Sequence, residues 1–202
     1  MQEPFTFLIA QEPVFKGIYD QYGLPTIPQR PEGFETLVLL ILEQQVSIDS
    51  AKATFLKLKT IGTAIHPEIL LDLCETQFRT AGVSRQKTSY IKALASAILS
   101  KELLLEALAT APPYEVRETL LKIKGIGHWT IDIYLMFALK APDVFPLGDI
   151  AVVNTLKELF NVHEKSEMEI LSQSWSPYRS YATYLLWHHY LGKRKRTINY
   201  NP

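Results

Sequence analysis

The stretch Leu120-Leu-Lys-Ile-Lys-Gly125-Ile-Gly127-His-Trp-Thr130 decides how the chain is read. An apolar-spaced helix runs out into Lys122 and Lys124, two glycines bracket one isoleucine, and a second helix begins at once, which is a helix-hairpin-helix pattern. Gly125 and Gly127 are read as residues that allow positive φ and let the backbone approach another surface closely. The N–H groups that open the helix after Gly127 have no intrahelical acceptor and can receive a phosphate oxygen. Lys122, Lys124 and Thr130 belong to the same candidate phosphate grip. Such a grip positions a protein on nucleic acid without identifying bases. For an isolated Gly-x-Gly, a tight helix-to-helix turn is the plainer alternative.

Outward from this hairpin, apolar residues keep a helical period almost throughout. Phe34, Leu37, Val38, Ile41 and Leu42 mark one stripe, and Ile91, Leu94, Ala95 and Ile98 another, whereas strand-like alternation is scarce. The pattern predicts an all-α fold with helices over 10–21, 33–44, 48–59, 67–73, 75–80, 84–100, 101–107, 114–121, 128–138, 150–160, 167–173 and 177–191. Tyr22 to Pro31 holds three prolines and a glycine and is expected to be an extended connection. Ala141 to Gly148 breaks two strongly helical stretches, and a loop of that length in a helical protein is often functional.

Composition bounds the chemistry. The 202 residues suffice for one compact domain or two small lobes. No apolar run approaches the roughly 20 residues that span a bilayer, and the start MQEPFTFLIAQEP lacks a basic n-region, so a non-membrane, non-secreted protein is expected. Cys74 is the only cysteine, which excludes an internal disulfide and a four-cysteine iron-sulfur cluster, and no side-chain metal site is expected. Lys+Arg and Asp+Glu both total 21, so the charge sum does not announce a polyanion partner. The run Gly192-Lys-Arg-Lys-Arg196 is nevertheless a local basic cluster able to meet phosphates, or else a solvated tail.

The hairpin is followed by Pro142-Asp-Val-Phe-Pro146-Leu-Gly148-Asp149, and here the sequence resembles the HhH-GPD superfamily of base-excision DNA glycosylases. The likeness extends upstream to Leu42-Glu-Gln-Gln45-Val-Ser47 and Ala81-Gly-Val-Ser-Arg-Gln-Lys87. Downstream it reaches Trp175-Ser-Pro-Tyr-Arg-Ser-Tyr-Ala-Thr-Tyr-Leu-Leu-Trp187. Within the superfamily it is most similar to the 3-methyladenine DNA glycosylase II branch, whose bacterial prototype carries an extra N-terminal β domain for which this chain leaves no room. The resemblance implies one glycosylase unit of two helical lobes flanking a DNA-binding cleft: 34–145, with the hairpin at 120–138, and 1–33 plus 146–202.

Asp149 stands just before the helical run Ile150–Phe160, where the local reading is an N-cap. The resemblance implies the catalytic carboxylate instead, stabilising positive charge on the deoxyribose as the base departs and orienting water. Bifunctional relatives hold a nucleophilic lysine just before the hairpin threonine. Trp129 occupies that position here and cannot form an imine, so no strand-cleaving lyase activity is expected. Trp187 matches the second pocket aromatic of the branch. Two indole faces favour a cationic alkylated purine by about 0.5–2 kcal/mol through cation–π attraction. Tyr181 and Tyr184 share a helix with Trp187 but read first as core.

Gln45 matches the position from which relatives insert a side chain into the gap left by a flipped nucleotide, with a plain linker residue as the alternative. His188 and His189 are adjacent, point to different helix faces and have no ligand set around them. Family hairpins use backbone carbonyls, here those of Ile123 and Gly125, to hold Na+ or K+ against a DNA phosphate. The implied activity is hydrolysis of alkylated bases of the 3-methyladenine and 7-methylguanine type from duplex DNA, by a monomer. The alternatives are the same fold acting on deaminated or oxidised bases, and a non-catalytic DNA-binding module. The implied address is the bacterial or archaeal cytoplasm or the eukaryotic nucleus.

Overall fold

The computed structural model describes residues 3–201, and every element among them is helical. In chain order these are α1 (Glu3–Gln11), α2 (Pro13–Tyr22), α3 (Phe34–Glu43), α4 (Ile48–Gly62), α5 (Pro67–Asp72), α6 (Glu75–Ala81) and α7 (Arg85–Leu99). They continue with α8 (Leu105–Leu108), α9 (Pro113–Leu121), α10 (His128–Phe137), α11 (Ile150–Phe160), α12 (Lys165–Gln173) and α13 (Arg179–Gly192).

Two expected helices come out differently. The helix placed at 10–21 is two helices, because Pro13 lacks an N–H and can start a helix but not continue one; Glu12 caps α2 by accepting from Val14 N at 3.2 Å. The helix placed at 101–107 shrinks to Leu105–Leu108 behind Lys101, which turns left-handed at φ 61°.

The described chain falls into two compact units, residues 3–28 with 140–198 and residues 29–139 with 199–201. In the second unit α3 is buried on nearly every side and packs against α4, α7 and α10, whose residues Thr130 to Phe137 are also buried. The apolar stripe read from the sequence understates α3, since Leu39 and Leu40 are buried too. In the first unit α13 has the central place, packed on α1, α2 and α11. Trp175 anchors an aromatic cluster there, with ring centroids 5.0 Å from Phe15, 5.4 Å from Phe160 and 5.5 Å from Phe145. Each such buried large apolar side chain contributes about 1.5–3 kcal/mol.

The unit boundaries sit earlier than 34 and 145. Arg30 N donates to Phe137 O at 3.0 Å and its guanidinium makes a two-point pair with Glu43 at 2.6 and 2.9 Å, so residues 29–33 belong with α3. The Tyr200 carbonyl accepts from the same guanidinium at 2.8 and 3.1 Å, which takes residues 199–201 into that unit too. Both side chains of the pair are buried, and the extra acceptor satisfies donors that would otherwise cost several kcal/mol, on the order estimated for a broken buried pair. Residues 140–145 go the other way. Asp143 takes bonds from Arg179 Nε at 2.8 Å, Arg179 NH2 at 2.9 Å and Ser176 Oγ at 3.0 Å, pinning the loop to the start of α13.

Candidate active site

Asp149 is delivered by the loop that Asp143 anchors. Ser180 Oγ donates to Ala141 O at 2.7 Å and accepts from Val144 N at 3.0 Å, and Ser180 N donates to Pro142 O at 3.0 Å. The chain then tightens, with Asp149 N donating to Pro146 O at 2.9 Å, and α11 begins. Asp149 is its N-cap: Oδ1 accepts from Ala151 N at 3.0 Å and Val152 N at 3.1 Å. A third donor reaches the same oxygen, the indole Nε1 of Trp187 at 3.0 Å, from α13. Val152 and Leu156 bury the face of α11 that packs on α13, and that packing brings the half-buried carboxylate to the indole. A carboxylate held by three N–H groups is fixed in place, and positive charge developing beside it is stabilised without reorganisation.

Trp187 is 9% exposed, and its ring lies 6.0 Å from that of Tyr184 at a tilt of 46°. Tyr181 continues the row at 5.9 Å and packs edge-on against Phe5 at 5.2 Å. The two tyrosines therefore serve as packing behind Trp187. His188 and His189 face apart, to the Tyr22 carbonyl at 3.0 Å and Glu158 at 3.2 Å. In the basic run Lys193 pairs with Glu158 at 2.7 Å and Arg194 stacks 3.6 Å over the Tyr190 ring, so two of its cations are engaged in internal contacts.

The hairpin lies in the other unit. Gly125 has φ 88°, and a Cβ there would stand 2.0 Å from Cγ of Tyr90, so glycine is required twice over. Gly127 corrects the sequence reading: its φ is −111° with ψ 178°, ordinary extended backbone at the N-cap of α10. A Cβ at Gly127 would meet nothing within 4 Å, and a glycine cap supplies no side-chain acceptor to the first turn of α10. Space and an open helix start, rather than positive φ, are what it provides.

Lys122 and Lys124 are exposed beside this turn, and Trp129 is half-buried at the second position of α10. Thr130 is turned inward. It is 2% exposed and its Oγ1 accepts from Gln44 Nε2 at 3.0 Å, leaving only its backbone for a phosphate. The hairpin is braced by Arg117 of α9 pairing with the buried Asp132 of α10. Burial pushes the Asp132 carboxyl up despite that pairing.

A family model described as HhH-GPD superfamily base excision DNA repair protein matches residues 38–180, from α3 through the Asp149 loop to the start of α13. The chain belongs to this superfamily. A Bacillus subtilis (strain 168) protein named DNA-3-methyladenine glycosylase is 30% identical over 202 residues, 91% of this chain and 66% of that one. A second protein of that strain, YfjP, is 34% identical over 124 residues, 60% of this chain. The chain spans 66% and 43% of the lengths of these two relatives. The structure superposes on the Schizosaccharomyces pombe 3-methyladenine DNA glycosylase Mag1, solved in complex with abasic DNA. The TM-score is 0.84 at 27% identity, covering 92% of this chain and 95% of that one.

In this HhH-GPD chain the motif residues divide their labour in ways that spacing alone does not reveal. Gln45, with φ 59°, is exposed in the turn between α3 and α4. Its neighbour Gln44 was not singled out by the sequence reading. Gln44 Nε2 donates to Gly125 O at 2.9 Å and to Thr130 Oγ1, tying the α3–α4 turn to the hairpin. A doubled glutamine ahead of a helix cap was the available signal. Arg179 and Ser180 hold the loop that carries Asp149, which accounts for the Arg-Ser pair in the downstream motif. No helix among the described residues is long and apolar enough to cross a membrane.

Proposed function

We propose that the chain is a monofunctional DNA glycosylase that hydrolyses the N-glycosylic bond of alkylated bases in duplex DNA. The observation that carries this is the convergence of Ala151 N, Val152 N and Trp187 Nε1 on Asp149 Oδ1, beside the family relationship. A purine alkylated at N3 or N7 is cationic. As the bond breaks, its electron pair goes to the base, which leaves neutral, and C1′ of the sugar becomes electron-poor. Asp149 stabilises that charge; a water oxygen then bonds to C1′ and loses a proton, leaving an abasic site.

The hairpin is proposed to hold a backbone phosphate through the α10 start, with Lys122 and Lys124 adding charge. The carbonyls of Ile123 and Gly125 already accept from Ile126 N and Gln44 Nε2, yet each keeps a lone pair with which to bind Na+ or K+ there. Trp187 and Trp129 are the proposed aromatic surfaces for the base, and Gln45 the proposed filler of the vacated stack. The protein would act as a monomer wherever the genome is housed.

Mass spectrometry of bases released from methylated duplex DNA tests the substrate class. Release of 3-methyladenine or 7-methylguanine is expected. Release confined to deaminated or oxidised bases would transfer the assignment to those lesions, and no release at all would reduce the chain to a binding module. Borohydride should trap no covalent DNA adduct, because Trp129 offers no amine.

A further inference from the structure

A second anion site lies in the hairpin-bearing unit, away from the hairpin turn. One face of α6 and the first turn of α7 border an open surface cavity of about 320 Å³, lined by the exposed Glu75, Thr76, Arg79, Ser84 and Arg85 with the buried Thr88 at its floor. Neither guanidinium makes an ion pair or a side-chain hydrogen bond among the described residues. Glu75 and Arg79 stand four apart on α6, a spacing that commonly yields a pair, yet they are not paired. Arg85 opens α7, where a cation works against the helix dipole and contributes nothing to helix stability. Two unpaired guanidiniums over one carboxylate leave the cavity net cationic. The planar fork of arginine fits a phosphate by two parallel hydrogen bonds.

We propose that this cavity takes a phosphodiester of the DNA strand, a second backbone contact beyond the hairpin. The inference rests on the reading of the chain as a DNA glycosylase. Its geometric support is that the first turns of α7 are fixed to the parts of this unit that would meet DNA. Tyr90 packs its ring beneath Gly125, Gln86 Nε2 donates to the Tyr90 hydroxyl at 2.6 Å, and Lys87 Nζ donates to Leu42 O at 2.7 Å, just ahead of the Gln44–Gln45 turn. Arg85 and Tyr90 are five residues apart on α7, about 7.5 Å along its axis.

The test uses the full chain carrying Asp149→Asn, so that bound DNA is not turned over, and a duplex with an abasic-site analogue, followed by fluorescence anisotropy across a salt series. Arg79→Gln/Arg85→Gln should weaken binding about tenfold and lower the slope of log K against log salt by about 0.9, the value for one lost phosphate. Replacing single phosphates by neutral methylphosphonates should reveal two separate sensitive positions, of which the double variant loses one. That scan on the parent protein stands even if the double variant fails to fold. An unchanged slope with a single sensitive position overturns the inference while leaving the glycosylase reading intact. Protection of Arg85 by inorganic phosphate alone, with no second position in the scan, assigns the cavity to a free anion and likewise overturns it. A parent protein that does not bind DNA sinks both.

Discussion

Two helix starts, one in each unit, solve the same local problem in opposite ways. α10 begins at Gly127, which supplies no side-chain acceptor to the first turn and has open space where a Cβ would stand. α11 begins at Asp149, whose carboxylate takes two first-turn N–H groups and then the indole of Trp187. Every helix start presents uncompensated donors and a partial positive charge. Left open, those donors can grip an anion from outside; closed by a carboxylate, they fix an anion inside. The first arrangement suits holding a phosphate, and the second suits presenting a charge at a set position.

The sharpest way to break this contrast is Asp149→Asn. Asparagine caps a helix about as well as aspartate, so unfolding free energy should stay within about 0.5 kcal/mol. Single-turnover base release should nevertheless drop about 10²–10³-fold. Equal release by the two proteins would make Asp149 a cap and nothing more. Next in size is Trp187→Phe, which deletes the indole N–H and with it a hydrogen bond to a charged group of about 1.5–3 kcal/mol. Release should slow by about 10- to 100-fold, with binding to abasic product little changed; a parallel loss of binding would argue that Trp187 acts only through packing.

The glycine pair sharpens the other half. Gly125→Ala should lower stability by about 1–3 kcal/mol in urea unfolding, because a left-handed φ and the Tyr90 ring both oppose a side chain. Gly127→Ala should cost under about 1 kcal/mol of stability, yet weaken DNA binding by crowding the open helix start. If Gly127→Ala binds as tightly as the parent, the open cap is not a phosphate site.

The smallest effect concerns the loop behind Asp149. Burial alone would raise the Asp143 carboxyl, but its bonds from Arg179 and Ser176 prevail and hold it below the ordinary carboxylate range. A folded value below the unfolded one stabilises the protein above the unfolded value of about 3.9, and the benefit is lost as pH falls through the folded value. Asp143→Asn should therefore cost about 1 kcal/mol near neutrality, and the gap to the parent should close on acidification below about pH 4. A gap independent of pH would show that the loop is held by packing.

Periodicity and two short motifs carry most of this architecture, because helix stripes, glycine turns and a cap aspartate are local features. What stayed hidden depends on contacts between distant residues. Nothing in Asp149 or Trp187 alone reveals that they are bonded across 38 positions. Thr130 reads as part of the phosphate grip until its hydroxyl is seen turned inward to Gln44. Gly127 was misread because glycine looks the same in sequence whether it is needed for φ or for room. The break at Pro13 was legible in principle, since a proline inside an apolar period marks a new start more readily than a continuation.

The Gln44 amide joins the exposed Gln45 turn to the hairpin through Gly125 O and Thr130 Oγ1. With Gln45 as the proposed filler of the base stack, that side chain would be set at a constant offset from the phosphate the hairpin is proposed to grip, as the jaws of a caliper are set by its frame. On that proposal a nucleotide would be interrogated only when it stands that far along the strand from the grip. To inspect the next one, the protein would have to release a phosphate and take hold of its neighbour, and the step of its search along DNA would equal the repeat of the backbone.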